Sequence, residues 1–326
     1  TVGMPNLAES YVPFVCADLT MISEIQGTGS SSPLVGESVA VQGVVTAVVS
    51  LPKKGFYLRD EVADGNPLTS DGIFVESGSA DSQLVGRTVC LGSEVAESYG
   101  QTQLAADTWE VTNSDYTATV ATNIEVLEAD NGSFATTLER YEGMLVNLPE
   151  DINQLEEGEQ NMRVSRSFSF NYDSFRNNMT LAHMRPNMQP NQLNVAGSPE
   201  SVAAAEQNDD YRLVIESSSS AANGEIPYYP NFGIVPENNY IRIDDSVIGM
   251  EGVINYSFGD YSLTVTNELT SDNFVHNLPR TDSPDLDETV AEDHFAIRVA
   301  SQNLFNYFNS PFGGDQNQFG QSRGAD

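Results

Sequence analysis

The sequence predicts a mainly β chain: two small β-barrel modules, an acidic linker, and the first strand of a further α/β domain. Three observations predict it. Short β-branched runs separated by Gly, Pro and Asp turns fill residues 32–106 and return after residue 140. A hairpin pattern occurs twice. A Pro- and carboxylate-rich stretch then divides these runs from a last strand that opens at Ile297. The boundaries are a tail and short helix over 1–31, a first barrel over 32–106 and a connector over 107–139. A second barrel with long insertions covers 140–277, the linker 278–294, and the start of an incomplete domain 295–326.

In the first segment Leu19, Ile22 and Ile25 recur at helical spacing, and Asp18 stands where an N-cap belongs. Five strands follow, at 38–49, 55–60, 72–76, 87–97 and 102–105. Gly43 lies inside the long first strand, where it marks a bend of the kind a five-stranded OB-type barrel needs. An open sandwich of the same strand count is the alternative.

The connector carries weaker strands at 109–111 and 124–128. Strand patterns resume at 142–147, followed by an acidic loop at 150–159 and polar-apolar alternation at 162–170. Residues 171–198 are rich in Asn, Met and Pro and read as a long irregular insertion. A helical turn or two at 201–207, a strand at 211–215 and a Ser/Gly/Pro loop at 217–236 complete the module. Two segments echo earlier ones. Val41-Gln-Gly-Val-Val matches Met250-Glu-Gly-Val-Ile, and Glu97-Ser-Tyr-Gly-Gln-Thr-Gln-Leu matches Tyr256-Ser-Phe-Gly-Asp-Tyr-Ser-Leu. The second pair reads as a hairpin, with glycine supplying a positive φ. Two copies of one barrel type would explain the echoes; chance likeness of two hairpins is the other explanation. Residues 278–294 hold Pro279, Pro284 and six carboxylates, the composition of a stiff charged linker.

Charge is the dominant bulk property. Lys and Arg number 14 against 47 Asp and Glu, for a formal net charge of −33. Such a chain repels polyanions on average. Dense carboxylates suit salty water, where screening makes them tolerable, and calcium binding is the second reading. No apolar run is long enough to span a membrane. The chain opens on Thr1 with no leader pattern, so a signal peptide is expected to have been removed or to lie outside this sequence. Two cysteines, Cys16 and Cys90, allow one bridge, two free thiols, or a partner in a C-terminal part beyond this sequence. Val89, Leu91 and Val95 are expected to share one face of their strand, leaving Cys90 on the other.

The only lysines, Lys53 and Lys54, stand together in the turn between the first two strands, near Phe56, Tyr57 and Arg59. An OB barrel uses that loop and the aromatics of its second and third strands for oligonucleotides. These five residues are the nucleic-acid-binding candidates; surface cations paired with the abundant carboxylates are the alternative. Arg163, Arg166, Arg176 and Arg185 read as such paired cations. Asp60–Asn66 reads as a solvated turn, with a loose calcium loop as alternative. His183, His276 and His294 stand in loop or linker contexts and read as structural or exposed. Zinc spacings, nucleophile elbows and phosphate-binding glycine loops do not occur.

Residues 297–308, Ile-Arg-Val-Ala-Ser-Gln-Asn-Leu-Phe-Asn-Tyr-Phe, resemble the first strand of the endonuclease/exonuclease/phosphatase fold. Gly313–Asp315 and Arg323–Asp326 resemble the segments downstream of that strand in secreted bacterial members. The order of segments from Cys16 onward is similar to nucleases of that kind, which carry β-barrel modules ahead of the catalytic domain. The resemblance implies that Asn303 lies beside a catalytic metal, Mg2+ or Mn2+, with Ca2+ a further candidate cation. It implies that the complete protein hydrolyses phosphodiesters. The family's metal-binding Glu, catalytic His and Asp-x-Asn pair have no counterpart before Asp326, so this chain is expected to be inactive alone. The expected location is extracellular or at the surface of a Gram-negative-type bacterium. The expected partners are extracellular DNA or RNA, held weakly, and the following nuclease domain. A structural spacer without nucleic-acid contact, or a carbohydrate- or matrix-binding barrel, are the alternatives.

Overall fold

The computed structural model describes residues 16–171, 176–219, 226–232, 234 and 239–278. The linker beyond Leu278, His294, and the final strand with Asn303 lie outside them. The described chain is mainly β and forms two sheets, one of them curled into a half-barrel. These residues belong to one compact unit, Thr1–Pro279. Among them no helix is long and apolar enough to cross a membrane.

The first sheet holds β1 (Ser38–Val49), β2 (Gly55–Arg59), β3 (Gly72–Glu76), β4 (Thr88–Glu94), β5 (Ala96–Ser98), β6 (Gln101–Ala105) and β7 (Glu110–Asn113), in the order β5-β6-β3-β2-β1-β4-β7. β1 pairs with β4 through its first half and with β2 through its second, with a register shift between Val45 and Ala47. The irregularity lies beyond Gly43, where a bend was expected; at Gly43 itself the chains approach closely, and a Cβ there would lie 2.5 Å from the Arg59 carbonyl oxygen. β3 and β6 pair in parallel. β4 and β5 are one stretch broken at Val95, and β5 pairs with β6. Phe56, Leu58, Ile73, Val75, Val89, Leu91 and Leu104 fill the interior. Cys90 faces away from these residues and is bonded to Cys16, with their Cα atoms 6.1 Å apart.

Helix α1 (Ile22–Gln26) closes one end of this interior with Ile22 and Ile25. Its cap is not Asp18, which adopts a positive φ; Met21 holds the cap position without a side-chain bond. The Asp60 carboxylate instead accepts from Ile22 N at 2.9 Å and Ser23 N at 3.3 Å. Burial pushes that carboxyl up to about 6, against the pull of the two amides.

The second sheet holds β8 (Thr122–Asn123), β9 (Leu145–Asn147), β10 (Met162–Asn171), β11 (Arg176–His183), β12 (Arg212–Ser217), β13 (Ser246–Val247), β14 (Glu251–Ser257), β15 (Asp260–Val265) and β16 (Phe274–Val275). Their order is β16-β13-β10-β11-β12-β15-β14-β9-β8. β11 corrects the reading of 171–198 as wholly irregular. Met179 and Leu181 are buried and alternate with Thr180, a period of two too short to stand out in an Asn-rich stretch. Helix α2 (Phe134–Glu139) receives its cap from Ser133 and from Asp210, whose carboxylate accepts from Phe134 N and Ala135 N. The helix expected at 201–207 is longer: α3 runs Pro199–Asp210, capped by Ser198. His183 ends β11 instead of lying in a loop. It stacks on Phe134 at 4.9 Å, and burial lowers its pKa to about 4.

The two sequence echoes differ in kind. β14 hairpins into β15, which pairs in parallel with β12; β4–β5 hairpins into β6, which pairs in parallel with β3. By connectivity β14 therefore corresponds to β4–β5, and the match of Val41–Val45 to Met250–Ile254 joins strands of different place. The hairpin match joins equivalent ones. The counterpart of β1 is β9 with β10, interrupted by the acidic loop.

The two sheets meet across Ala47, Val49, Tyr57 and Phe74 on one side and Leu145 and Val253 on the other. At this joint the backbones of Gly72 and Gly143 touch. A Cβ on Gly143 would lie 2.6 Å from the Gly72 oxygen and 2.7 Å from its carbon, and Gly143 has φ +79°. Both neighbours are backbone and cannot swing aside. Gly143→Ala should lose roughly 2–3 kcal/mol from left-handed strain and overpacking together. A urea midpoint equal to that of the parent would show that the joint is slack.

A cleft between two aromatic hairpins

The hairpin β5–β6 turns through Tyr99-Gly100, and β14–β15 turns through Phe258-Gly259. In each, both turn residues have positive φ: 56° and 89° in the first, 56° and 88° in the second. Two-residue hairpins want this geometry, and Asn, Asp or Gly supplies it at least cost. An aromatic residue there is strained, and here each ring also stands in water, 85% exposed for Tyr99 and 92% for Phe258. The same doubly unfavourable choice is made at both tips. Gly100 packs under the other hairpin; a Cβ on it would lie 2.8 Å from the Tyr256 ring.

The tips border one cleft of about 120 Å³. Its floor is Tyr57, Phe74 and Gln101, and its rim includes Pro52, Lys53 and Ser257. Tyr57 is buried in the sheet joint, and burial, then the nearby Glu142, pushes its hydroxyl pKa up. Gln101 is 6% exposed, and its amide lies against the Tyr57 hydroxyl, where it favours the ionised form of that group. Lys53 Nζ donates to Ser98 Oγ at 2.7 Å and Gln103 Oε1 at 2.8 Å, with Glu76 at 3.6 Å.

Of the five nucleic-acid candidates, the fold brings Lys53 and Tyr57 to this cleft and disperses the rest. Lys54 turns away, donating to the Gly78 carbonyl. Phe56 is fully buried against Trp109 and cannot stack on a ligand, because strand alternation points it into the first interior. Arg59 lies at the far end of β2, paired with Gly72. Tyr99, Phe258 and Gln101 escaped sequence reasoning, although the hairpin echo carried the signal: an aromatic before glycine in both copies.

A larger cavity of about 390 Å³ lies beside Glu139, Asp209, Asp210 and Arg212. Its polar groups are committed to the fold. Arg212 bonds Asp260, Asp210 caps α2, and Glu139 accepts from the Tyr261 hydroxyl. In the 60–66 turn Asp60 caps α1, and Asp64 accepts from Asn66 N and Thr69 Oγ1. Among the described residues no group of three or more His, Cys, Asp or Glu is placed to hold a metal. Arg163 is paired with Glu159 and Asp244.

No family model matches the sequence, and no curated protein does.

Proposed function

We propose that this chain is a non-catalytic region of a secreted, metal-dependent nuclease, and that it holds nucleic acid weakly at the cleft between the hairpins. Each sheet is read as an OB-like barrel. Support comes from the shared connectivity, a first strand bonded to the second and fourth and a third strand parallel to the fifth. Mg2+ or Mn2+ belongs to the domain that opens at Ile297, with Asn303 beside it by resemblance.

One observation carries the binding reading. In a chain of net charge −33, one of only two lysines stands at the rim of a cleft flanked by two exposed aromatic rings. Aromatic platforms beside a cation are how single strands are held without sequence preference. The strength must be modest, since Lys53 already has Glu76 near it. A single phosphate contact should give a salt slope of about −0.7 for a single strand. Anisotropy titration of a labelled single strand at low and moderate salt tests this. Lys53→Ala should weaken binding at low salt and flatten the slope. A parent protein that binds nothing at low salt would leave the spacer reading, which the net charge favours.

A further inference from the structure

We infer that the cleft takes one unpaired nucleobase, stacked on Tyr99 and Phe258. This rests on the reading that the ligand is nucleic acid, and it names the part of the strand that is bound. At about 120 Å³ the cleft is well below the usual range for small-molecule sites, so it admits a ring and not an extended ligand. The ring faces come from two separate hairpins, and neither ring is needed by either interior.

The polar lining separates a base from a sugar. A hydroxyl-rich ring needs many donors and acceptors, and the cleft's two amides are taken, Gln101 by the Tyr57 hydroxyl. Asn255 bonds Thr264 Oγ1 and Ser262 Oγ. Behind the rim Gln103 is held between Lys53 and Glu76. A flat ring with a few polar edge atoms matches what remains. A base inside a duplex keeps both faces stacked on its neighbours and cannot enter, so the site selects single strands and loops.

The test uses the 326-residue protein and three probes: a labelled thymine 12-mer, an abasic 12-mer with the same backbone, and a neutral glucose hexasaccharide. The variants are Tyr99→Asn and Phe258→Asn, which remove the ring while keeping a residue that tolerates positive φ. Their urea midpoints should not fall. Each should weaken thymine-strand binding about 5- to 150-fold, and the abasic strand should bind the parent at least about tenfold more weakly than the thymine strand. Equal binding of the abasic strand would overturn the base site while leaving the nucleic-acid reading intact. Unchanged binding by both ring variants would also overturn it. Failure of either strand to bind at low salt would remove the nucleic-acid reading itself. Hexasaccharide binding lost in the ring variants would assign the cleft to sugars.

Discussion

Asp130→Ala is expected to destabilise the protein by about 3–5 kcal/mol, the usual cost of stranding one member of a buried ion pair. Asp130 is 1% exposed and lies 2.7 Å from Arg140 Nε, with a second contact of 2.8 Å to Nη2. Its remaining lone pairs are filled by Leu127 N at 2.8 Å and Thr137 Oγ1 at 2.7 Å. Arg140 also donates to Glu125 O at 2.6 Å and to Pro67 O at 2.9 Å, and Pro67 belongs to the loop between β2 and β3. Removing the carboxylate leaves a guanidinium buried with carbonyls only, in a network that ties the connector to the first sheet. Burial alone would raise the Asp130 carboxyl, but the bonds from Arg140, Leu127 N and Thr137 outweigh it and hold it below the ordinary range. Because the folded pKa is the lower one, this stability is complete above about pH 4 and is lost as pH falls through the lowered value. Urea unfolding at neutral pH measures the loss. A change under about 1 kcal/mol would mean that the connector unfolds separately from the sheets.

Reducing the Cys16–Cys90 bond should cost about 4 kcal/mol in the chain-entropy model, since it closes a loop with a sequence separation of 74. Cys90 is fully buried on β4, opposite Gln42 of β1 and Glu110 of β7, so the bond anchors the segment ahead of α1 to the middle of the first sheet. Unfolding curves with and without reductant should separate, and Cys16→Ser should follow the reduced curve. Two thiols titrating in the denatured, unreduced protein would refute the bond outright.

Strands of the first sheet were legible because their β-branched or aromatic runs end at turn residues. The span read at 38–49 and β1 coincide, and those read at 55–60 and 72–76 differ from β2 and β3 by at most a residue. The break at Val95 was not legible, because Arg87–Glu97 is continuously strand-like and only pairing partners divide it. In the second sheet the acidic loop hid the unity of β9 and β10, since nothing local says that two strands so far apart continue one line. The site was half legible. Lys53 and Tyr57 stood out through scarcity and position, whereas Phe56 was misplaced because exposure depends on which face of β2 meets the interior. Tyr99 and Phe258 become a pair only when two hairpins distant in sequence are set side by side. The Asp130–Arg140 pair left no mark, as its spacing along the chain has no helical or strand meaning.

Helix α1 owes its start to a carboxylate thirty-eight residues downstream. Five residues cannot nucleate a helix in water, and no nearby side chain offers its first amides an acceptor. The cap arrives only when β2 has paired and delivered Asp60 to its end. On a growing chain, then, the segment leaving the ribosome first among these elements takes shape only after β2 has joined it. Until β2 follows it out, Ile22 and Ile25 are bare apolar residues, open to any factor that guards unfinished chains.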